Sequence, residues 1–542
     1  MSSPKSDAQA PLSRRSRLSA PTRAAALQFY SLPDFDLSWG GVVRGIEKES
    51  LRVAPSGALS QSPHPVALGS TLTNPYITTD FSESLLEFIT PAYDRIDDCL
   101  GMLEGIHRFS LKKVENNEMF WVSSMPCALG GEAEIPVAQF GTSNVGKLKT
   151  LYREGLSNRY GKIMQTIAGI HYNFSMPDSF WPQYQAHCGD QGSLQDFRTD
   201  KYLHLIRNFH RYSWLLVYLF GASPAVCKSF VKGREHSLDT LDSHSLYLPY
   251  ATCLRMGNLG YKSEAQKSLF VCYNELGSYA ECLGNAMHTP YPEYQKIGRG
   301  PNGEHRQINA NLLQLENEFY STIRPKRNVK SGQRPLEALI EGGIEYVEVR
   351  ALDLNPYLML GIDAEQVRFL DTFLIHCLLA PSPECHHDEF FEVADNLMRV
   401  VEQGRDPALM LNEEGTPRGM REWAGQLLDS LGNASTLLNN IHDTTAYQSA
   451  LEAQVAKLAD ATLTPSGRML KQMQEEGLSF FGLALALSQQ QRDELAGAPL
   501  SEQDETLFTQ TALDSLDKQA AIEAEAQPDF ETFLAEWNAA SR

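Results

Sequence analysis

The chain has 542 residues, of which 42% are hydrophobic and 21% charged, and this balance excludes collagenous, low-complexity and wholly disordered proteins. The formal net charge of −20 at pH 7 would repel a phosphate backbone, so we expect no nucleic-acid partner. An acidic protein that handles anions must concentrate positive charge locally, from arginines or bound cations. The longest apolar stretch, residues 214–226, is too short to span a bilayer, so no membrane association is expected.

The N-terminal 25 residues are rich in serine and carry five basic residues against the single acid Asp7. This composition predicts a disordered extension over residues 1–25, with an organelle transit peptide as the alternative. No long apolar segment follows, which excludes a secretory signal peptide. We therefore expect a cytoplasmic protein.

The first segment with a chemical pattern is RGIEKESLRV at residues 44–53, which predicts a strand. Side chains alternate along a strand, so Glu47 and Glu49 share one face while Lys48 and Arg52 share the other. Two neighbouring carboxylates repel unless something positive lies between them. The alternative is a solvated face of an edge strand.

The next cluster, at residues 78–90, can form either a helix or a strand. In a helix, Asp80 and Glu87 lie two turns apart on one face. In a strand over residues 85–90, Glu87 is a carboxylate among apolar residues, which is costly to bury unless it is paired or bound to metal. In both cases Glu87 is the unusual residue.

Two segments match nucleotide-binding patterns, but their context argues against both. Residues 141–147 fit G-x-x-x-x-G-K, yet Leu148 replaces the Ser or Thr that would hold magnesium. Residues 298–303 fit G-x-G-x-x-G, but Pro301 interrupts them and a β-like segment, residues 307–313, follows where a helix is required. We predict a hairpin turn for the second segment.

Residues 342–351 alternate clearly and predict a strand with Tyr346, Glu348 and Arg350 on one face. A carboxylate followed by a guanidinium can be a surface pair, or it can ligate a metal and hold phosphate. Oxygen-rich ligand sets suit Mg²⁺ better than Zn²⁺. Magnesium and phosphoryl chemistry is therefore suggested by one set of residues: Glu47, Glu49, Asp80, Glu87, His171 and Glu348.

Beyond Asp363 the sequence becomes rich in Leu, Ala, Glu and Gln at helical spacing. We expect an α+β protein with a mixed catalytic body over residues 26–363 and a helical C-terminal part over residues 364–542. The two parts are expected to pack together without a linker, and the last fifty residues to form an acidic, partly mobile helical tail.

Five segments resemble the proteobacterial type of glutamate–cysteine ligase. They are RGIEKESLR (44–52), TDFSESLLEFITP (79–91), YREGLSNRY (152–160), GIHYNF (169–174) and IEYVEVR (344–350). The resemblance runs from about Gly41 to Asp363 and is loose in the C-terminal third. It implies a glutamine-synthetase-like antiparallel sheet that forms a funnel for ATP, magnesium and glutamate.

The resemblance also implies roles for individual residues. The six metal-binding candidates would line the metal cluster, and Arg350 would face the transferred phosphate. Phe81, Tyr152, Tyr261 and Tyr320 would form the cysteine pocket, and Arg255 would take the cysteine carboxylate. The implied enzyme forms γ-glutamylcysteine from L-glutamate, L-cysteine and ATP through a γ-glutamyl phosphate, the first step of glutathione biosynthesis. We expect it to be a monomer.

Two other functions remain open at this stage. One is a ligase of the same superfamily with a different amine substrate, against which the aromatic pocket with Arg255 argues. The other is a catalytically silent metal or nucleotide sensor, which would be expected to have lost a ligand, whereas all are present. A bifunctional enzyme that also adds glycine would need a second ATP-binding domain, which the segment after Asp363 does not resemble.

Overall fold

The computed structural model of the protein describes residues 40–259, 264–266, 269–329 and 333–539. The predicted N-terminal extension and Tyr261 lie outside the described residues. The strands, numbered in chain order, are β1 Val43–Val53, β2 Ile77–Thr79, β3 Leu85–Ile89, β4 Met119–Phe120, β5 Ile170–Ser175, β6 Ala225–Cys227, β7 Asp239–Thr240, β8 Ser245–Tyr247, β9 Ile323–Lys326, β10 Tyr346–Leu352, β11 Met410–Glu413 and β12 Thr416–Gly419.

The helices of the described residues account for most of the C-terminal third. They are α1 Ile96–Lys113, α2 Asn144–Tyr160, α3 Phe180–Cys188, α4 Leu194–Phe220, α5 Leu276–His288, α6 Pro292–Gln295, α7 Pro335–Gly342, α8 Ala364–Leu379, α9 His387–Gln403, α10 Met420–His442, α11 Ala446–Ala459, α12 Pro465–Glu476, α13 Phe480–Gly497, α14 Glu502–Ala524 and α15 Phe530–Ala539. Within the described ranges no helix is both long and apolar enough to cross a membrane.

The main sheet has seven strands in the order β2-β3-β1-β5-β10-β9, and β4 pairs with the end of β1. Its pairings are antiparallel. The α+β class and the antiparallel sheet are therefore confirmed, as are the strands expected around Glu47 and Glu348. The edge-strand alternative for residues 44–53 is wrong because β1 pairs on both sides, and the helical alternative for Glu87 is wrong because β3 is a strand.

The second face of β1 is covered by α1 and by the polypeptide around β4. Lys48 contacts His107 of α1 through an Nζ–Nε2 distance of 2.7 Å. Arg52 forms a buried ion pair with Glu118 at 2.9 Å. Lys48 and Arg52 therefore both have their partners on this face. The carboxylates of β1 lie on the opposite face, without these basic side chains beside them.

The helical C-terminal segment begins where the sequence pattern changes. Asp363 caps α8 by accepting a hydrogen bond from the backbone N–H of Gln366 at 2.8 Å. The helices that follow pack on α4 and on α1, and Phe508 of α14 lies 5.4 Å from Phe109 between ring centroids. One hydrophobic core thus runs through both parts of the chain, while the division at Asp363 stays a prediction.

The two rejected nucleotide motifs have ordinary structural roles. In the first, Ser143 caps α2 by accepting from the backbone N–H of Gly146. In the second, the chain turns back on itself between the bridge partners Arg299 and His305, as the predicted turn requires. The β-like interpretation of residues 307–313 is wrong, because this segment is irregular and satisfies its backbone through side chains such as Gln314.

Candidate active site

A cavity of about 1020 Å³ lies over the free face of the main sheet. The sheet forms its floor, α2 runs along one side, and the segment from Leu315 to Tyr320 closes another. The carboxylates that line the floor are Glu47, Glu49, Asp80, Glu87 and Glu348. All six predicted metal-binding residues, including His171, therefore face one space.

Strand register brings these side chains together from distant parts of the sequence. Glu47 of β1 lies opposite His171 of β5, and Glu49 lies opposite Glu87 of β3. Side chains of directly opposed residues share a face, so all four point into the cavity. Glu348 reaches the same space from β10, on the other side of β5.

Two sets of three ligand atoms converge around the His171 ring. Glu47, His171 and Glu348 form one set, and Glu49, Glu87 and His171 form the other, each with its atoms within 4.8 Å of one another. Nδ1 of His171 lies 3.2 Å from Glu47 and 3.9 Å from Glu348, whereas Nε2 lies 3.7 Å from Glu49. The sets share one imidazole, which suits two neighbouring cation sites.

The carboxylates divide into two electrostatic groups. Burial favours the protonated form of Glu348, but Lys326 at 3.2 Å and Arg350 at 3.3 Å outweigh it and hold its pKa well below the usual value. Burial likewise opposes ionisation of Glu47, yet its hydrogen bond with His171 leaves the pKa lowered. These two carboxylates are therefore ionised at neutral pH.

The second group carries uncompensated charge. Burial, followed by repulsion from Glu47, Asp80 and Glu49, raises the pKa of Glu87 well above its usual value. Burial also raises the pKa of Glu49, although its Oε2 accepts a hydrogen bond from the backbone N–H of Gly169 at 2.6 Å. Carboxylates arranged in this way accept a cation readily, because a cation removes the repulsion.

Positive charge is concentrated at the β9 and β10 side of the cavity. Arg324 and Lys326 of β9 and Arg350 of β10 all line it. The pKa of Arg350 is raised, since burial is outweighed by Glu348 and then by Glu49. A local cluster of cations in a chain of net charge −20 is what binding of an anionic substrate requires.

The predicted cysteine-binding residues are only partly brought together. Tyr152, Arg255 and Tyr320 line the cavity. The Arg255 side chain is buried, and it donates to the backbone oxygens of Ala168 at 3.1 Å and Arg350 at 2.9 Å. Phe81 does not line the cavity: it is 1% exposed and packs in the main core.

Several residues of the cavity were not identified from the sequence. Arg324 and Lys326 alternate along β9 and could have been found by their spacing of two. Arg159 and Glu318 form a buried ion pair at 2.9 Å that ties the end of α2 to the segment before Tyr320. No local pattern reveals this pair, because its two members come from segments whose packing is set by the whole fold.

Comparison with known proteins identifies the family. A family model described as glutamate-cysteine ligase matches residues 35–400. The glutamate–cysteine ligase of Pseudomonas fluorescens strain Pf-5 is 49% identical over 497 residues, covering 92% of this chain and 93% of the relative.

Two solved structures are also similar. One is the crystal structure of glutamate–cysteine ligase from Francisella tularensis in complex with AMP, with a TM-score of 0.87, 34% identity and coverage of 92% of this chain and 98% of that one. The other is a bifunctional glutathione synthetase from Pasteurella multocida, with a TM-score of 0.68, 26% identity and coverage of 85% and 53%. The chain belongs to the glutamate–cysteine ligase family.

Proposed function

We propose that this glutamate–cysteine ligase joins L-glutamate to L-cysteine in the carboxylate-lined cavity, at the expense of ATP. The observation that carries the assignment is the pair of ligand sets around His171, next to the Arg350 guanidinium. Joining a carboxylate to an amine in water is uphill, so the γ-carboxylate first attacks the γ-phosphorus of ATP and ADP leaves. The cysteine amine then attacks the carbonyl carbon of the acyl phosphate and loses a proton. Release of phosphate completes the amide bond of γ-glutamylcysteine.

Magnesium fits the ligand atoms of the cavity floor. Carboxylate oxygens outnumber the single imidazole, and such sets favour Mg²⁺ over softer metals. Glu47, Glu49, Glu87, His171 and Glu348 would hold the ions, with Asp80 nearby. Bound magnesium would neutralise the charge of the ATP phosphates and of the transferred phosphoryl group.

The chain itself supplies a second source of positive charge. Arg350 is held by its contact with Glu348 at 3.3 Å and by Nη1 lying 3.5 Å from Nδ1 of His171. Burial alone would lower its pKa, but Glu348, Glu49 and Glu47 outweigh burial and raise the pKa, so Arg350 remains protonated throughout the reaction. We propose that Arg350 contacts the transferred phosphoryl group, where a fixed guanidinium lowers the cost of developing negative charge.

The acceptor end of the cavity is proposed to lie near Arg255 and Tyr320. The Arg255 guanidinium is fixed by backbone oxygens on Nε and Nη2 and by the sulfur of Met256 on Nη1 at 3.0 Å, and the one N–H left on each Nη can form two parallel bonds to the carboxylate of cysteine. Tyr152 and Tyr320 present aromatic surface for the thiol. Phe81 would support this wall from the core and not touch the substrate.

Water exclusion is the remaining requirement, because an acyl phosphate hydrolyses when water reaches it. The reacting atoms would lie at the sheet surface beside α2, where Glu49, His171 and Glu348 are buried. The buried pair of Arg159 and Glu318 holds this helix against the segment that leads to Tyr320. We also propose that the enzyme acts as a monomer in the cytoplasm, which light scattering and cell fractionation can test.

The test of the proposed function is ATP-dependent release of phosphate by the purified protein with glutamate and one of cysteine, serine, glycine or alanine. Preference for cysteine is the expected result. Equal or greater activity with another amine would assign a different acceptor. Absence of turnover with all of them would support the sensor alternative.

A matched pair of variants tests the site. Glu348→Gln should reduce turnover by far more than about tenfold, which is about 1.4 kcal/mol of barrier. Glu345→Gln, three residues earlier, is the control, because Glu345 accepts a hydrogen bond from the side chain of Asn328 and does not line the cavity. Parental activity in Glu348→Gln would remove Glu348 from the site.

A further inference from the structure

The C-terminal helix α15 contributes a side chain to the cavity. Trp537 lines it, although it lies far beyond residues 35–400 that the family model matches. The sequence pattern predicts only a helical tail here. The position of Trp537 therefore brings this tail to the substrate cavity.

A small hydrophobic cluster, separate from the main core, holds α15 in place. Its buried members are Leu148 and Leu151 of α2, Ile308, and Leu534 of α15. Trp537 packs against this cluster, as does Tyr152 of α2. Trp537 and Tyr152 are therefore two parts of one wall, which rests on a core of its own.

Polar contacts fix the direction of α15. Glu531 pairs with Arg299 at 3.0 Å and with His305 at 2.8 Å. Asn538, next to Trp537, accepts a hydrogen bond from the side chain of Asn309 at 3.0 Å. Surface ion pairs contribute little stability. The packing of α15 on the protein is therefore stabilised mainly by the apolar cluster, and these polar contacts set the orientation of the helix.

The Trp537 ring is held from a second direction by Arg334. The Arg334 guanidinium lies 5.0 Å from the ring centroid, in the range of a cation–π contact. Arg334 is itself buried and paired with Glu316, which lines the cavity, at 3.4 Å. A large aromatic ring fixed on two sides makes a rigid part of the cavity wall.

We propose that Trp537 is a specificity-determining residue for the acceptor amino acid and contacts the side chain of cysteine. This inference rests on the proposed function, which places cysteine beside Tyr152. The sheet side of the cavity is charged and suits phosphates and carboxylates. Its apolar side is formed by Tyr152, Leu148, Leu315 and Trp537. A thiol gains from aromatic contact, and a hydrophobic wall selects it over the hydroxyl of serine.

The experiment compares Trp537→Ala, Trp537→Phe and the control Phe533→Leu by measuring KM for cysteine, glutamate and ATP together with kcat. Phe533 packs against the same cluster but does not line the cavity. We expect Trp537→Ala to raise KM for cysteine about three- to tenfold, the range of a lost sulfur–aromatic contact, with kcat within about twofold. Trp537→Phe should recover most of the loss, and Phe533→Leu should keep all three parental KM values.

Three outcomes would overturn the inference: an unchanged KM for cysteine in Trp537→Ala, a similar rise for all three substrates, or a rise for ATP alone. Melting curves show whether the variants fold. If Trp537→Ala is insoluble, Trp537→Leu keeps apolar volume in the cluster and carries the same expectation. Failure of the parent protein to ligate glutamate and cysteine would instead refute the proposed function, which separates the two hypotheses.

Discussion

Replacing Glu87 by Gln should stabilise the metal-free protein while removing a proposed magnesium ligand. Glu49 and Glu87 each offer an oxygen within 4.8 Å of the other, beside His171. Two unit charges at that separation repel by about 3 kcal/mol at an effective dielectric constant of about 20. The fold stays intact because Gln has the shape of Glu and the backbone of β3 keeps its partners in β1 and β2.

The difference in free energy of unfolding between Glu87→Gln and the parent protein should increase with pH. Burial and neighbouring carboxylates raise the pKa of Glu87 in the folded state above its value in the unfolded chain. A raised folded pKa stabilises the fold at low pH, and this contribution is lost as pH rises through that pKa. Glu87→Gln does not titrate and suffers no such loss. We expect its free energy of unfolding to exceed that of the parent by about 1 to 3 kcal/mol at the alkaline end.

The assay is urea unfolding in the presence of EDTA between pH 5 and pH 8, with Glu348→Gln as the control of opposite sign. Lys326 and Arg350 favour the ionised form of Glu348, so removing its charge should destabilise the metal-free protein. Both variants should lose ligase activity. Two results would show that Glu87 is not repelled by the neighbouring carboxylates. One is a Glu87→Gln variant that is less stable than the parent at pH 8, and the other is a stability difference between the two proteins that does not change with pH.

Three further predictions follow from other parts of the structure. Arg255→Lys should lower kcat/KM for cysteine about ten- to 150-fold, with much smaller changes for glutamate and ATP. The reason is that the ammonium group of lysine cannot form the two parallel hydrogen bonds that a guanidinium makes to a carboxylate. Measuring the three KM values together with a melting curve distinguishes this effect from a general loss of fold. Asp371→Asn should lower the free energy of unfolding, measured with urea, by about 3 to 5 kcal/mol. The buried Arg44 lies 3.1 Å from Asp371 and would lose its counter-charge. An unchanged midpoint of urea unfolding in Asp371→Asn would show that this ion pair does not stabilise the fold. Magnesium should raise the melting temperature of the parent more than that of Glu87→Gln, which keeps only the ligand set of Glu47, His171 and Glu348 intact.

The sequence predicts the strands of the site well and their arrangement poorly. The alternation of residues 342–351 is visible locally because one face of that strand meets charged groups and the other meets the core, whereas in residues 44–53 the sign of the charge alternates between the two faces. The order β3-β1-β5-β10 is not visible, since Glu49 meets Glu87 and Glu47 meets His171 only through pairings of distant segments. Ligand chemistry suggests one magnesium site and the resemblance to a family implies the same site, but neither gives the strand pairings that build it.

Residues whose position depends on tertiary packing are the hardest to place from the sequence. Phe81 follows Asp80 directly, and the chain turns there so that Asp80 lines the cavity while Phe81 enters the core. Trp537 and Leu534 belong to a helix whose polar residues resemble those of any solvated tail. Only its packing on α2 shows that this helix borders the cavity.

The expected effect of magnesium on stability follows from how the fold assembles its charges. Pairing of β1, β3, β5 and β10 forces four glutamates around one imidazole, an arrangement that does not exist in the unfolded chain. A cation that binds only the folded state adds about 2.7 kcal/mol of stability at a concentration of 100 times its Kd. Sodium at matched ionic strength is the control, because it screens repulsion without being ligated. A melting temperature that rises equally in sodium and magnesium would show that screening alone relieves the cluster, and the carboxylates would then not form a magnesium site.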